Sequence, residues 1–191
     1  EFKIVISSAT INAETFSEYF DACPIVNIET PMYPVDTRYD PPKPGSGPEA
    51  LVEKIAQAVL KIGTSQAAEG DLLIFLPGEG AIKNCIARIQ SLPIRKRLEI
   101  LPLYARLSAE EQERVFAEYP GRRKVIVATN IAETSVTIDG ITTVIDSGRA
   151  KINYYNQRNF TSSLIEIPIS KASANQRRGR AGRRRTRPQR R

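Results

Sequence analysis

The chain has 191 residues, 41% of them apolar and 26% charged, which suits a soluble globular protein of one domain, or one domain plus a piece of another. It contains no histidine, so His-based general-base chemistry and His-ligated zinc are excluded, and no apolar run reaches the roughly 18–20 residues that span a bilayer. The net charge of +7 is local, because residues 172–191 hold nine arginines and no acid and leave 19 basic against 21 acidic residues before them, a net of −2.

Residues 2–6 (Phe-Lys-Ile-Val-Ile) are a short apolar run that reads as a buried strand. Residues 13–20 have helical spacing, with Phe16, Tyr19 and Phe20 on one face and Asn12 as a cap. Residues 25–28 read as another short strand. Six prolines and two glycines stand between 31 and 48, the composition of a linker or of extended chain, and a domain boundary is expected there. Beyond it the pattern becomes regular. Residues 49–62 are an amphipathic helix, 71–76 a strand, 80–91 a helix and 98–103 a strand. Residues 108–118 are a helix opened by a capping box, Ser108 with Glu111. Strands follow at 124–128 and 142–146. This alternation predicts an α/β fold: a parallel sheet wrapped by helices, with right-handed crossovers. Residues 150–168 break the rhythm, since 152–155 and 163–167 flank Asn156-Gln157-Arg158-Asn159 and read as a β-hairpin or two extra strands. Residues 170–183 are a helix or a loop and helix. The chain starts in mid-strand and ends in an arginine run, as expected of a piece of a longer protein. Cys23 and Cys85 have no partner pattern and read as reduced thiols of a cytosolic protein.

Two segments carry chemistry. Behind the apolar strand at 124–128 come Thr129, Asn130, Glu133, Thr134, Ser135, Thr137 and Asp139. Ligands of open α/β sheets sit at the carboxyl ends of strands, and hydroxyls and amides there can hold nucleic-acid phosphates without reading bases. A capped loop explains any one of these residues; seven together favour a site. The second segment is Gln176-Arg177-Arg178-Gly179-Arg180-Ala181-Gly182-Arg183. Guanidinium forks match phosphate oxygens in pairs, and glycine lets a backbone approach closely. A solvated basic tail is the competing reading, and 184–191 are expected to be a disordered tail.

Ala128-Thr-Asn-Ile-Ala-Glu-Thr-Ser-Val-Thr-Ile-Asp-Gly-Ile141 followed by the arginine segment resembles the DEAH-box RNA helicases of superfamily 2. Ser8-Ala9-Thr10 is similar to the family's Ser-Ala-Thr motif. Leu73-Ile-Phe-Leu-Pro-Gly78 is similar to the motif that opens its second RecA-like domain. Leu101-Pro-Leu-Tyr-Ala-Arg-Leu107, with Gln112 and Phe116, resembles the next segment. Ile167-Pro-Ile-Ser-Lys-Ala-Ser-Ala-Asn175 resembles the lead-in to the arginine motif. Six motifs in order cover nearly the whole chain.

The resemblance implies two RecA-like domains, with ATP between them and RNA across both. Residues 1–30 would be the end of the first, 31–48 the linker, 49–183 the second RecA-like helicase C-terminal domain and 184–191 the tail. Gln176, Arg180 and Arg183 would face the ATP phosphates, Arg180 and Arg183 as arginine fingers, with Gly179 in the same nucleotide-binding motif. Asp139 would hold the ribose. Phe116 would stack on the base, with core packing as its alternative; stacking tolerates every base, so weak preference among nucleoside triphosphates is expected. Gly78, Thr129, Asn130 and Thr134 are candidates for RNA backbone contact, and Ser8, Ala9 and Thr10 for coupling nucleotide state to RNA. Arg177 and Arg178 are expected to point outward or be structural. The hairpin resembles the family's strand-separating hairpin, or completes the sheet edge.

The phosphate-cradling Gly-x-x-x-x-Gly-Lys-Ser/Thr and the Asp-Glu-Ala-His segments do not occur in these residues. ATP and Mg2+ would need the first domain in cis, and the chain alone is expected not to hydrolyse ATP. The partner implied is single-stranded RNA, in the cytoplasm or a eukaryotic nucleus, with no membrane, metal site or oligomer indicated. A non-catalytic nucleic-acid-binding RecA-like module is the alternative function, and a purely structural domain a third.

Overall fold

The computed structural model describes residues 3–6, 13–28, 33–65 and 69–182. Ser8, Ala9, Thr10, Asn12, Arg183 and the tail at 184–191 therefore lie outside the described residues. The chain divides into two compact units, Glu1–Pro31 and Met32–Arg191.

In the first unit the helical spacing produces α1 (Ala13–Tyr19), with the Ser17 hydroxyl donating to the Cys23 carbonyl at 2.7 Å beyond its end. The two strands expected at 2–6 and 25–28 do not form: residues 3–6 and 25–28 carry no ladder, and Ile4, Val5, Val26 and Ile28 are exposed. Apolar residues make a strand only where a neighbouring strand takes up the backbone hydrogen bonds.

The second unit holds the regular pattern. α2 (Pro48–Thr64) opens on Pro48 itself, where a missing N–H leaves no helical bond unmade. There follow β1 (Asp71–Phe75), α3 (Glu79–Gln90), β2 (Leu98–Leu103), α4 (Ala109–Glu113), β3 (Arg123–Ala128), α5 (Ile131–Thr134) and β4 (Ile141–Asp146). β5 (Arg149–Asn156), β6 (Thr161–Pro168) and α6 (Lys171–Gly179) complete it. The capping box is present: the Ser108 hydroxyl accepts from the Glu111 N–H at 3.2 Å, and the Glu111 carboxylate accepts from the Ser108 N–H at 3.0 Å. The helix it opens lasts five residues and tightens into a 3-10 turn at Arg114–Phe116, ahead of Pro120, which cannot continue it, and of Gly121, whose φ of 75° is left-handed.

The sheet runs β2-β3-β1-β4, every pair parallel, with Leu72 opposite Val125 and Phe75 opposite both Ala128 and Asp146. β5 and β6 form a separate antiparallel pair, so they do not extend the main sheet's edge. All five residues of β1 are buried, as a strand covered on both faces requires. Leu72, Ile74 and Leu76 pack with Ile55 and Val59 of α2 and Ile82, Cys85 and Ile89 of α3. Leu73 and Phe75 face the opposite layer with Leu101, Leu103, Val115, Ile126, Ala132, Ile138 and Ile141. Side chains alternate across a strand, so one sequence run builds both layers.

Burial pushes the Cys85 thiol up to about 12, so it stays protonated and unreactive in the folded chain. Alkylation of the native chain, read by mass spectrometry, is expected to modify the half-buried Cys23 and spare Cys85 until unfolding. Equal labelling of the two cysteines under native conditions would refute this.

Candidate functional site

The carboxyl ends of the strands are laced together. The Leu76 N–H donates to the Ala128 carbonyl at 2.9 Å, Thr129 to Leu103 at 3.0 Å and Ser147 to Phe75 at 3.2 Å. Gly78, Thr129 and Asn130 follow directly on these ends and share one edge of the sheet. Gly78 is the N-cap of α3 and is buried; a Cβ there would come within 3.2–3.3 Å of the Lys151 side chain. Lys151, which sequence reasoning did not single out, thus brings a cation from β5 over an RNA-contact candidate. Thr129 is half-buried, and Asn130 and Thr134 are exposed. The segment is fixed from below by α5, a single turn anchored by buried Ala132. Asp139 is exposed next to buried Ile138.

The arginine segment is helical up to Gly179 and does not form a solvated tail over its described length. Ser170 caps α6, accepting from the Ser173 N–H at 3.1 Å. Gln176 and Gly179 are half-buried and Arg178 is exposed, whereas Arg177 and Arg180 are buried, at 1% and 7% exposure. Arg180 Nε donates to the Glu133 carbonyl at 3.1 Å and Nη1 to the Val136 carbonyl at 2.7 Å; Nη2 also donates to the Glu133 carbonyl. Its fork here grips the backbone of the polar segment at 129–139. Arg177 Nε pairs with Glu133 Oε2 at 3.0 Å and Nη1 with Asp146 Oδ1 at 2.8 Å, and its guanidinium carbon lies 4.7 Å from the centre of the Phe75 ring. Of the two expectations for Arg177, the structural one holds. At the end of this region the Tyr33 N–H donates to the Gly182 carbonyl at 3.3 Å, and a Cβ on Gly182 would meet the Tyr33 carbonyl oxygen at 3.2 Å.

Phe116 is 53% exposed, so core packing does not explain it; its neighbour Val115 occupies the core instead. The Lys124 ammonium donates to the Val115 carbonyl at 2.9 Å and also lies 3.7 Å from Asp71, which fixes the 3-10 turn near the start of β3. About 17 Å of strand separates that level from Thr129, at roughly 3.3 Å per residue. The structure thus brings Gly78, Thr129 and Asn130 to one edge, and ties Arg180 and the helix that carries Gln176 and Gly179 to Glu133, the residue before Thr134. Phe116 stands away from that edge. Val115 and Ile138 belong to the same core layer, which puts Phe116 and Asp139 on the same side of the sheet. Among the described residues, no group of three or more His, Cys, Asp or Glu side chains could hold a metal ion.

The chain is similar to known helicase proteins. The family described as helicase conserved C-terminal domain matches residues 51–185. The ATP-dependent RNA helicase HrpA of Borreliella burgdorferi is 50% identical over 184 residues, which cover 96% of this chain and 22% of that protein. HrpA of Escherichia coli is 45% identical over 185 residues, covering 96% of this chain and 14% of that protein. The crystal structure of the E. coli DExH-box NTPase HrpB superposes with a TM-score of 0.77 at 35% identity, over 92% of this chain and 21% of that one. The chain spans less than a quarter of the length of these proteins. With its motifs in order on a RecA-like parallel sheet, and with these likenesses, the chain belongs to the helicase conserved C-terminal domain family, in the DEAH-box group of superfamily 2.

Proposed function

We propose that this chain is the second RecA-like domain of an ATP-dependent RNA helicase, supplying arginine fingers and part of the RNA track. Residues 1–30 would then close the first domain and 31–48 link the two. The observation that carries this reading is the grip of α6 on the polar segment: Arg180 bonds the Glu133 and Val136 carbonyls, and Arg177 the Glu133 carboxylate. An arginine helix packed onto a phosphate-suited loop fits a nucleotide machine better than it fits a free basic arm.

The donor set suits a nucleoside triphosphate. Phe116 offers a half-exposed ring for the base, Asp139 an exposed carboxylate for ribose hydroxyls, and α6 and the residues after it offer an amide and guanidinium forks for phosphate oxygens. Bound ATP with Mg2+ supplies the phosphoryl group whose transfer drives the cycle. In this reading Gln176, Arg180 and Arg183 orient and stabilise charge on that group, Arg180 moving from backbone carbonyls to phosphate as the cleft closes. Gly78, Thr129, Asn130 and Thr134 hold RNA through its backbone, so binding carries little sequence preference. Ser8, Ala9 and Thr10 couple the two events.

The phosphate cradle and the magnesium ligands of such enzymes come from segments outside these 191 residues. The purified chain is therefore expected to show no ATP turnover above background, with or without RNA, whereas the full-length protein turns over ATP faster when single-stranded RNA is added. RNA-independent turnover by the isolated chain would contradict the proposal. RNA binding by a full-length protein that never hydrolyses ATP would favour the non-catalytic module.

A further inference from the structure

On the helicase reading above, Arg177 stands between the RNA-facing segment and the rest of the arginine segment. Its side chain is 1% exposed, and the guanidinium reaches four groups on four other elements. It contacts Glu133 on α5, Asp146 at the end of β4, the Arg149 carbonyl at the start of β5 at 3.3 Å, and the Phe75 ring at the end of β1, all from its place on α6. Phe75 and Asp146 are register partners in the sheet, so they give the guanidinium a rigid seat. From that seat it holds Glu133, whose other oxygen accepts from the Ser173 hydroxyl of α6 at 2.5 Å. Glu133 lies one residue before Thr134, and Gln176 one residue before Arg177.

We propose that Arg177 is a positioning residue that makes the arginine helix and the RNA-facing turn α5 a single lever, so that RNA held at α5 sets the side chains aimed at the nucleotide. Arginine is needed because only a planar fork can engage two carboxylates and lie over a ring at once; a lysine ammonium keeps the charge but is a single point. Loosening the Arg177 fork would leave the Glu133 carboxylate held by the Ser173 hydroxyl alone, with Arg180 still on the Glu133 and Val136 carbonyls, and weaken the coupling between the two sites without deleting either.

The test uses the full-length protein. Its affinity for a non-hydrolysable ATP analogue is measured with and without a single-stranded RNA oligonucleotide, and the ratio gives the coupling between sites. For Arg177→Lys the ratio is expected to fall about tenfold, within the roughly 5–150-fold span of such couplings, while the affinity for each ligand alone changes far less. Glu133→Gln keeps an oxygen acceptor for Ser173 and removes the charge. It is expected to lower the ratio in the same direction, and it carries the test if Arg177→Lys fails to fold. A merely structural Arg177 would lower thermal stability and leave the ratio at the wild-type value, and that result overturns the proposal. If the wild-type protein shows no RNA-dependent change in nucleotide affinity because it binds neither ligand, the helicase reading falls and this inference with it.

Discussion

Replacing Arg183 with alanine in the full-length protein is expected to lower RNA-stimulated ATP turnover by about 10³-fold or more, with RNA affinity nearly unchanged. During phosphoryl transfer, negative charge spreads over oxygens that only a preorganised cation can stabilise without reorganising water. Arg183 is the last guanidinium of the motif, three residues beyond Arg180. Arg183→Lys should recover only part of the loss, because an ammonium does not present two parallel N–H bonds. On the reading proposed above, RNA affinity rests on hydroxyls and amides near Thr129 and Thr134, a set that does not include Arg183. Steady-state ATPase assays beside RNA titrations at one salt concentration check this. If RNA affinity collapses while ATP turnover survives, the arginine segment is a nucleic-acid grip and the finger assignment fails.

The second large effect separates two phenylalanines. Phe75 is fully buried, closes β1 and lies under the Arg177 guanidinium. Phe75→Ala is expected to cost about 3–5 kcal/mol of stability, the usual range for emptying a packed aromatic site, and urea unfolding of the chain would show it as a lower midpoint. Phe116 is half-exposed on a 3-10 turn, so Phe116→Ala should change stability by no more than about 0.5 kcal/mol and barely move that midpoint. On the stacking role proposed for it, removing one face, worth about 1–3 kcal/mol, should raise the KM for ATP in the full-length protein about tenfold. A large stability loss in Phe116→Ala with unchanged KM would mean the ring serves the fold instead.

Most of the sheet is legible in the residues because β1 and β3 are buried along almost their whole length and read as apolar runs, while β2, at the sheet's edge, still buries Leu98, Leu101 and Leu103. The runs at 2–6 and 25–28 look the same on paper, yet residues 3–6 and 25–28 stay irregular, since apolar identity says nothing about whether a neighbouring strand exists. Helix α2 follows its stripe of Leu51, Ile55 and Val59. Helix α5 has no such signature: four residues are too few for a period, and it was visible only as a cluster of polar side chains. The same limit applies to the site. The polar set and the arginines stand out by composition, but their division of labour does not. Arg177 and Arg178 are adjacent and chemically identical, and only packing sends one into the core and the other to solvent. Lys151 over Gly78 depends on where a hairpin folds back, which no local pattern encodes.

The contact between Tyr33 and Gly182 joins two stretches 149 positions apart in the chain. A peptide of the proline-rich stretch is hydrogen-bonded to the peptide that immediately precedes Arg183, with no side chain between them because Gly182 has none. If that stretch links two domains, as proposed, tension along it would reach the backbone at Gly182, one residue short of the proposed final finger.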